Sequence, residues 1–384
     1  MNFYVHSCQT FDIIDERSYY QATYNELRVT LDERLFLVNG PFMMDSQFEA
    51  LKREGRRIRK RKKSTSASPE LIEEITRIEK ISKEIRETGN RLGYFTAQCE
   101  HDNNRVARTA ASELMNQAVV WFNPETISSP EIVPLEDNSS FILSREYCML
   151  NSWYRNESES CIRLNVSVKE GEAALVYYVP PRSTFHVGPV IDIRNFAALN
   201  DETFDLIVMD PPWENLTVRR QRSYATCDSA LNGLNMDCLA PNGLVAIWIT
   251  NRKGIEKDVE SYLKRWNLEK LATFFWLKVT IEGEPVCPFN GDHKLPYEKL
   301  VIASRAEAAF NHLPITSADG KVYASIPMAV PSRKPPVVPI LKQYGFFPSQ
   351  CLELFARSLQ PNTVSVGFET LLLQSSSCFI STSN

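Results

Sequence analysis

Residues Asp210-Pro211-Pro212-Trp213 bring a carboxylate, free carbonyls and an indole together within four positions. They follow Phe204-Asp205-Leu206-Ile207-Val208-Met209, a short apolar run with the composition of a strand buried on both faces. A carboxylate at the C-terminal end of such a strand stands where open α/β sheets hold their ligands. Neither proline has an N–H, so the carbonyls of Asp210 and Pro211 are kept out of a helix start and remain available as acceptors. Trp213 offers a flat face to a planar ring. Acceptors beside a stacking surface suit an exocyclic amine on a nucleobase. The competing reading of the same four residues is a tight turn after a core strand, since Asp and Pro are ordinary turn formers.

The chemistry sets the residue types. The N6 amine of adenine is a weak nucleophile because its lone pair is delocalised into the ring. Two acceptors holding its two N–H bonds favour a pyramidal nitrogen, and the restored lone pair can attack a sulfonium methyl in line. Positioning and electrostatics carry such a step, without a metal or a covalent enzyme intermediate. No metal is expected elsewhere either. The nine cysteines include no C-x-x-C pair, and Cys287 and His293 lack a partner pair at ligand spacing. Their odd number and irregular spacing predict reduced thiols inside a cell.

The elements that must position these residues are legible in part. A chain of 384 residues, 43% hydrophobic, has room for two or three domains and a sizeable core. No apolar run reaches the ~18 residues of a membrane span, and Met1–His6 does not open a secretory leader. From about residue 173, strands are expected at 174–179, 204–209, 244–250 and 272–279, and Val190-Ile191 leads into Asp192. Helices are expected near 229–239, 255–266 and 336–344, with further short apolar runs at 300–303, 322–326 and 351–356. This alternation predicts an α/β fold, a doubly wound sheet with helices on both faces.

Residues 1–150 lack the alternation and are expected to form a separate N-terminal domain, α-rich or mixed. Residues 151–374 would be the catalytic domain, and the Ser-rich tail 375–384 is expected to be disordered. Within the N-terminal part, Ser68-Pro69-Glu70 starts a helix over 69–88, with Leu71, Ile75, Ile78, Ile81 and Ile85 as its stripe and Gly89 as its stop.

The net charge of −4 does not by itself suggest nucleic acid, but its distribution does. Seven of the eight residues Arg56–Lys63 are basic, which reads as a nuclear-localisation signal, a phosphate-binding arm or a solvated surface run. A smaller cluster, Arg219, Arg220 and Arg222, follows the Asp-Pro-Pro-Trp turn and is expected to meet phosphate. No G-x-G-x-x-G follows an early strand, which argues against a dinucleotide, and no Gly-rich cofactor loop precedes Asp210. Cofactor contacts must then come from the C-terminal strand Cys351–Ala356, which ends in Arg357, Gln360 and Asn362. Arginine and amides there suit a ribose and a carboxylate.

Several ordered pieces extend this reading: Pro180-Pro181-Arg182-Ser183-Thr184-Phe185, Asp192-Ile193, Asp210-Pro211-Pro212-Trp213, Trp276-Leu277-Lys278, Pro296-Tyr297-Glu298, Lys334-Pro335-Pro336 and Glu353-Leu354-Phe355-Ala356-Arg357. Over roughly residues 173 to 370 the chain resembles the Asp-Pro-Pro-Trp family of S-adenosylmethionine-dependent N6-adenine methyltransferases. The resemblance implies a Rossmann-like class I methyltransferase sheet and S-adenosylmethionine as cofactor. Asp192 and Ile193 would hold its adenine, Lys334 its methionine carboxylate, and Arg357 and Asn362 its ribose hydroxyls or carboxylate. Asp210, itself also at the cofactor, and the Pro211 carbonyl would grip the target amine, on a backbone set by Pro212. Trp213, Tyr224 and Trp276 would line or gate the base pocket, with Lys278 and Glu298 in its wall.

The basic run resembles the subgroup that acts alone on spliceosomal small nuclear RNA. This implies a 2′-O-methyladenosine substrate, a nuclear location and a monomer. Adenine in DNA is the competing substrate, and a non-catalytic nucleic-acid-binding scaffold the competing class. The chain departs from the family pattern at Gly367-Phe368-Glu369, where Gly-Asn precedes Glu or Gln, and at Thr363, where Trp is common. One lost amide contact there would cost about 1 kcal/mol of cofactor affinity.

Overall fold

The computed structural model describes residues 2–41, 68–96, 102–117, 132–142, 152–167, 174–213, 230–289, 295–330 and 333–382. The basic run 56–63, the cluster Arg219, Arg220 and Arg222, and Tyr224 lie outside them. In chain order the elements are β1 (Tyr4–Ser7), β2 (Phe11–Ile14), α1 (Glu16–Tyr24), β3 (Val29–Leu31), α2 (Pro69–Arg91), α3 (Arg105–Gln117), β4 (Ile132–Leu135), β5 (Ser139–Ile142), β6 (Trp153–Asn156), β7 (Ile162–Ser167), β8 (Leu175–Val179), β9 (Thr184–Val187), α4 (Ile193–Asn200), β10 (Phe204–Met209), β11 (Leu239–Ile249), α5 (Ile255–Arg265), β12 (Glu269–Lys278), β13 (Tyr297–Ser304), β14 (Val322–Ser325), α6 (Val337–Lys342), β15 (Cys351–Leu354), β16 (Thr363–Gly367) and β17 (Phe379–Ser381).

Twelve strands form one sheet in the order β1-β2-β14-β12-β13-β11-β10-β15-β16-β9-β6-β4. Its centre, β9-β16-β15-β10-β11, is parallel throughout, while β13 runs antiparallel to both β11 and β12. Parallel strands must be covered on both faces, which is why β10 and β11 are near-continuous apolar runs. On one face Phe196 of α4 and Val259 and Leu263 of α5 pack with Ile207, Met209 and Ile247. On the other, Ile340 and Leu341 of α6 pack with Leu206, Ala246 and Trp248. This is the expected α/β sheet with helices on both faces.

Several expectations about the flanks are corrected. Among the described residues, strands of the first 150 join the central sheet. β2 pairs in parallel with β14 and brings β1 with it, and β4 closes the opposite edge. Alternation was the wrong signal here, because Phe11, Ile13 and Ile14 enter a sheet already covered on both faces, where period two disappears. The strand expected at 174–179 belongs to a small second sheet, β5-β7-β8. The helix expected to reach residue 239 does not, because Leu239 already pairs with Phe204 at the start of β11.

The tail is ordered as far as it is described. β17 pairs with β3, Cys378 is fully buried, and the Phe379 ring meets Tyr24 and Tyr178 edge-on. The apolar pair inside a Ser-rich stretch supplies burial that composition alone conceals. The helix α2 has the expected cap, with Ser68 Oγ accepting from Leu71 N–H. It runs past Gly89 to Arg91, and Gly93 (φ 68°) turns the chain just beyond it. Gly89 instead provides room, since a Cβ there would sit 2.2 Å from the Phe95 ring.

Candidate active site

Because β9, β16, β15 and β10 are parallel neighbours, their C-terminal ends open on a single edge of the sheet. Asp210 follows β10, Arg357 lies three residues past β15, Glu369 follows β16, and Asp192 ends the turn after β9. Lys334 comes from the segment leading into α6. Lys278 and Glu298 come from the antiparallel pair β12–β13, in which Trp276 is the Cα partner of Glu298.

These side chains form a chain of alternating charge. Glu369 Oε2 accepts from Arg357 Nε at 3.1 Å, and Arg357 Nη1 donates to Asp210 Oδ2 at 2.6 Å. Lys334 Nζ bridges Asp210 Oδ2 (3.1 Å) and Glu298 Oε2 (3.0 Å), and Lys278 closes the chain by donating to Glu298 Oε1. Burial alone would raise the Glu298 carboxyl. The flanking Lys278 and Lys334 outweigh it and pull the group down to about 2. Burial likewise opposes the charge on Lys334, yet Asp210 and Glu298 hold it above its ordinary value.

The turn after β15 stands where a Gly-rich loop would otherwise be. Phe355 adopts φ 60°, and β16 approaches it so closely that a Cβ on Gly367 would lie 2.9 Å from Ala356 N and 3.0 Å from Ala356 O. The two strand ends therefore meet backbone to backbone, and only glycine fits. Asp192 is held by His186, whose Nε2 lies 3.0 Å from Asp192 Oδ2, while its ring stacks on Trp153 at 4.8 Å. Ile193 is buried beside it at the start of α4. No spacing rule links His186 to Asp192 in the sequence.

Of the residues expected at the site, Asp192, Ile193, Asp210, Lys278, Glu298, Lys334 and Arg357 reach this edge. Of the others, those on described residues are placed as follows. The Pro211 carbonyl accepts from Trp213 N–H at 2.7 Å, which leaves one of its two lone pairs for a ligand. Trp213 is a core residue. Its Nε1–H donates to the Trp248 carbonyl at 2.7 Å, and only 6% of the residue is exposed, so it supports the turn instead of standing open for stacking. Trp276 is also core, edge-on to Trp248 at 5.8 Å, although its ring carries Lys278 Nζ 4.5 Å from its centroid. Asn362 lies at the wrong end of the sheet. Its carbonyl accepts from Cys351 N–H, at the start of β15, on the order of 10 Å from the level of Asp210.

The N-terminal part reaches into the site's support. Trp276 Nε1–H donates to Ser325 Oγ at 2.8 Å, and Ser325 donates to Glu16 of α1 at 2.6 Å. Burial pushes the Glu16 carboxyl up to about 7. The proton is therefore held more tightly in the folded than in the unfolded chain. The stabilisation is full below the ordinary carboxylate value near 4.5 and lost as pH rises toward 7. Accordingly, Tm measured from pH 4.5 to 7.5 should decline more in the wild type than in Glu16→Gln, which keeps an acceptor for Ser325. Parallel curves would show that Glu16 titrates normally.

The MT-A70 family model matches residues 204–369, the segment that carries β10 through Glu369. A DNA N6-methyl methyltransferase of Caenorhabditis elegans is 38% identical over 373 residues, covering 96% of this chain and 97% of its own length. The human N(6)-adenine-specific methyltransferase METTL4 is 36% identical over 219 residues, 53% of this chain and 45% of its own. An N6-methyladenosine RNA methyltransferase MTA1 of Cryphonectria parasitica is 34% identical over 208 residues, 51% of this chain and 60% of its own. The chain thus aligns with less than two thirds of the latter two relatives.

Proposed function

The chain belongs to the MT-A70 family, and from that premise we propose that it transfers the methyl group of S-adenosylmethionine to N6 of an adenine in nucleic acid. The observation that carries this is Asp210 at the open edge, adjoining the Pro211 carbonyl and flanked by Lys334 and Arg357. The donor set fits the cofactor. An acid beside two cations matches the zwitterionic amino-acid end. Asp192 and Ile193 would hold the adenine, Lys334 and Arg357 the polar end, and Glu369 would be in reach of ribose hydroxyls. Bound there, S-adenosylmethionine supplies an electrophilic methyl on sulfonium. Asp210 and the Pro211 carbonyl accept the two N–H bonds of the target amine and orient its lone pair. The adenine must be unpaired or flipped out, since pairing occupies N6.

The finer reading is 2′-O-methyladenosine in small nuclear RNA, supported by the motif order of the subgroup and by the basic run Arg56–Lys63, which also suits residence in the nucleus. The relative aligned over 97% of its length is named as a DNA enzyme, and this favours adenine in DNA as a second reading. Labelled methyl transfer to matched single strands separates them: RNA, RNA carrying one 2′-O-methyladenosine, and DNA. We expect the 2′-O-methylated RNA to be preferred. Preference for DNA would establish the second reading, and transfer to none of them, with no cofactor binding, would leave a scaffold.

A further inference from the structure

Arg333 directly precedes Lys334, yet its side chain has a different fate. It is 3% exposed, and among the described residues none of its three guanidinium nitrogens meets an acceptor in regular hydrogen-bond geometry, its interactions being with the Tyr20 side chain and, electrostatically, with Glu16 and Glu353. Its Cζ lies 3.8 Å from the centroid of the Tyr20 ring of α1. Stacking satisfies the face of the cation but leaves the N–H fork in the ring plane unused. A buried guanidinium without an acceptor carries a large desolvation penalty, so an arrangement of this kind calls for an anion.

The surroundings say where that anion would sit. Arg333 lines a cavity of about 50 Å³ together with Asp210, Lys334, Glu353, Arg357 and Gln360. The other cations of this wall are already paired, Lys334 with Asp210 and Glu298, and Arg357 with Asp210 and Glu369. Glu353 faces the same space, but burial and the nearby Asp210 raise its carboxyl to about 7, so near neutral pH it offsets the guanidinium only in part. The Gln360 amide donates to Tyr20 Oη at 3.2 Å, and its Oε1 has no partner. Glu16 of α1 also interacts electrostatically with Arg333, but it accepts from Ser325 and burial raises its carboxyl to about 7, so it too offsets the guanidinium only in part.

We propose that Arg333, rather than Lys334 alone, receives the carboxylate of the methyl donor's amino-acid end through its unused guanidinium fork. This rests on the cofactor reading above. A planar fork matches a carboxylate in two parallel bonds, which a single ammonium cannot reproduce. Tyr20 then becomes a positioning residue, and α1 a part of the cofactor site.

Calorimetric titration of the full chain with two probes tests the assignment. S-adenosylhomocysteine carries the amino-acid carboxylate, and 5′-methylthioadenosine lacks it. In Arg333→Met, the Kd for S-adenosylhomocysteine should rise by at least about tenfold while that for 5′-methylthioadenosine stays unchanged. In Arg333→Lys, which retains the charge and the stem, a smaller but selective loss is expected, and this variant carries the test if the Met variant does not fold. Equal affinities for S-adenosylhomocysteine in wild type and variant would overturn the proposal, as would equal weakening of both probes, since that marks a purely structural role. Failure of the wild type to bind either probe would instead overturn the cofactor reading itself.

Discussion

Asp210→Ala is expected to reduce methyl transfer by about a thousandfold or more while the protein remains folded. The carboxylate is the single group shared by the two halves of the site. One oxygen, Oδ2, already receives Arg357 and Lys334, so the side chain cannot rotate away from the edge, and Oδ1 is the oxygen left for a ligand. Removing one preorganised acceptor from a site of this kind typically costs about 10²–10³ in rate, and here the loss also frees two cations to reorient. Asp210→Asn separates these effects. It keeps an acceptor oxygen and the shape but not the charge, so it should retain more transfer than alanine while weakening the hold on Lys334 and Arg357. Rates from single-turnover transfer, compared with melting curves for both variants, decide the matter. Transfer by Asp210→Ala close to that of the wild type would remove Asp210 from the mechanism.

How much of the molecule is legible in the chain follows the physics of each element. β10 with its Asp-Pro-Pro-Trp end was legible because a strand buried on both faces followed by two prolines has few other solutions. Arg357 is legible because it closes the apolar run 351–356 that forms β15 and its turn. Trp213 and Trp276 are ambiguous in the sequence because an indole at a strand end fits a stacking surface and a core plug equally well. Only the acceptors found for their N–H groups, the Trp248 carbonyl and Ser325 Oγ, distinguish the two. Asn362 failed because eight residues, 355–362, suffice to return the chain to the opposite end of the sheet before β16 begins. The contributions of α1, with Glu16 and Tyr20 placed more than 300 residues from their partners Ser325 and Arg333, leave no local signature.

The second large effect is expected at Glu298, where stability and chemistry are joined. Among the described residues, Glu298→Ala removes the ion-pair partner of Lys278, which keeps the Trp276 ring beside it, and leaves Lys334 paired with Asp210. All three charged groups are largely removed from water, with side-chain exposures of 17%, 18% and 14% for Glu298, Lys278 and Lys334. Removing one member of a buried pair costs about 3–5 kcal/mol because the orphaned charge cannot regain its hydration. The residual exposure favours the lower end, about 3 kcal/mol. Adding Lys278→Met removes the orphan and should recover part of the loss, a coupling that a double-mutant cycle in urea measures directly. The pH dependence has a defined sign. The Glu298 carboxyl is held at about 2 in the folded chain, so its stabilisation is present above the ordinary carboxylate value near 4.5 and is lost as pH falls toward 2. The stability gap between wild type and Glu298→Ala should therefore be full at pH 7 and narrow below pH 4.5. A gap that stays constant through that range, or a double mutant that shows simple additivity, would mean that Glu298 and the two lysines do not act as a unit.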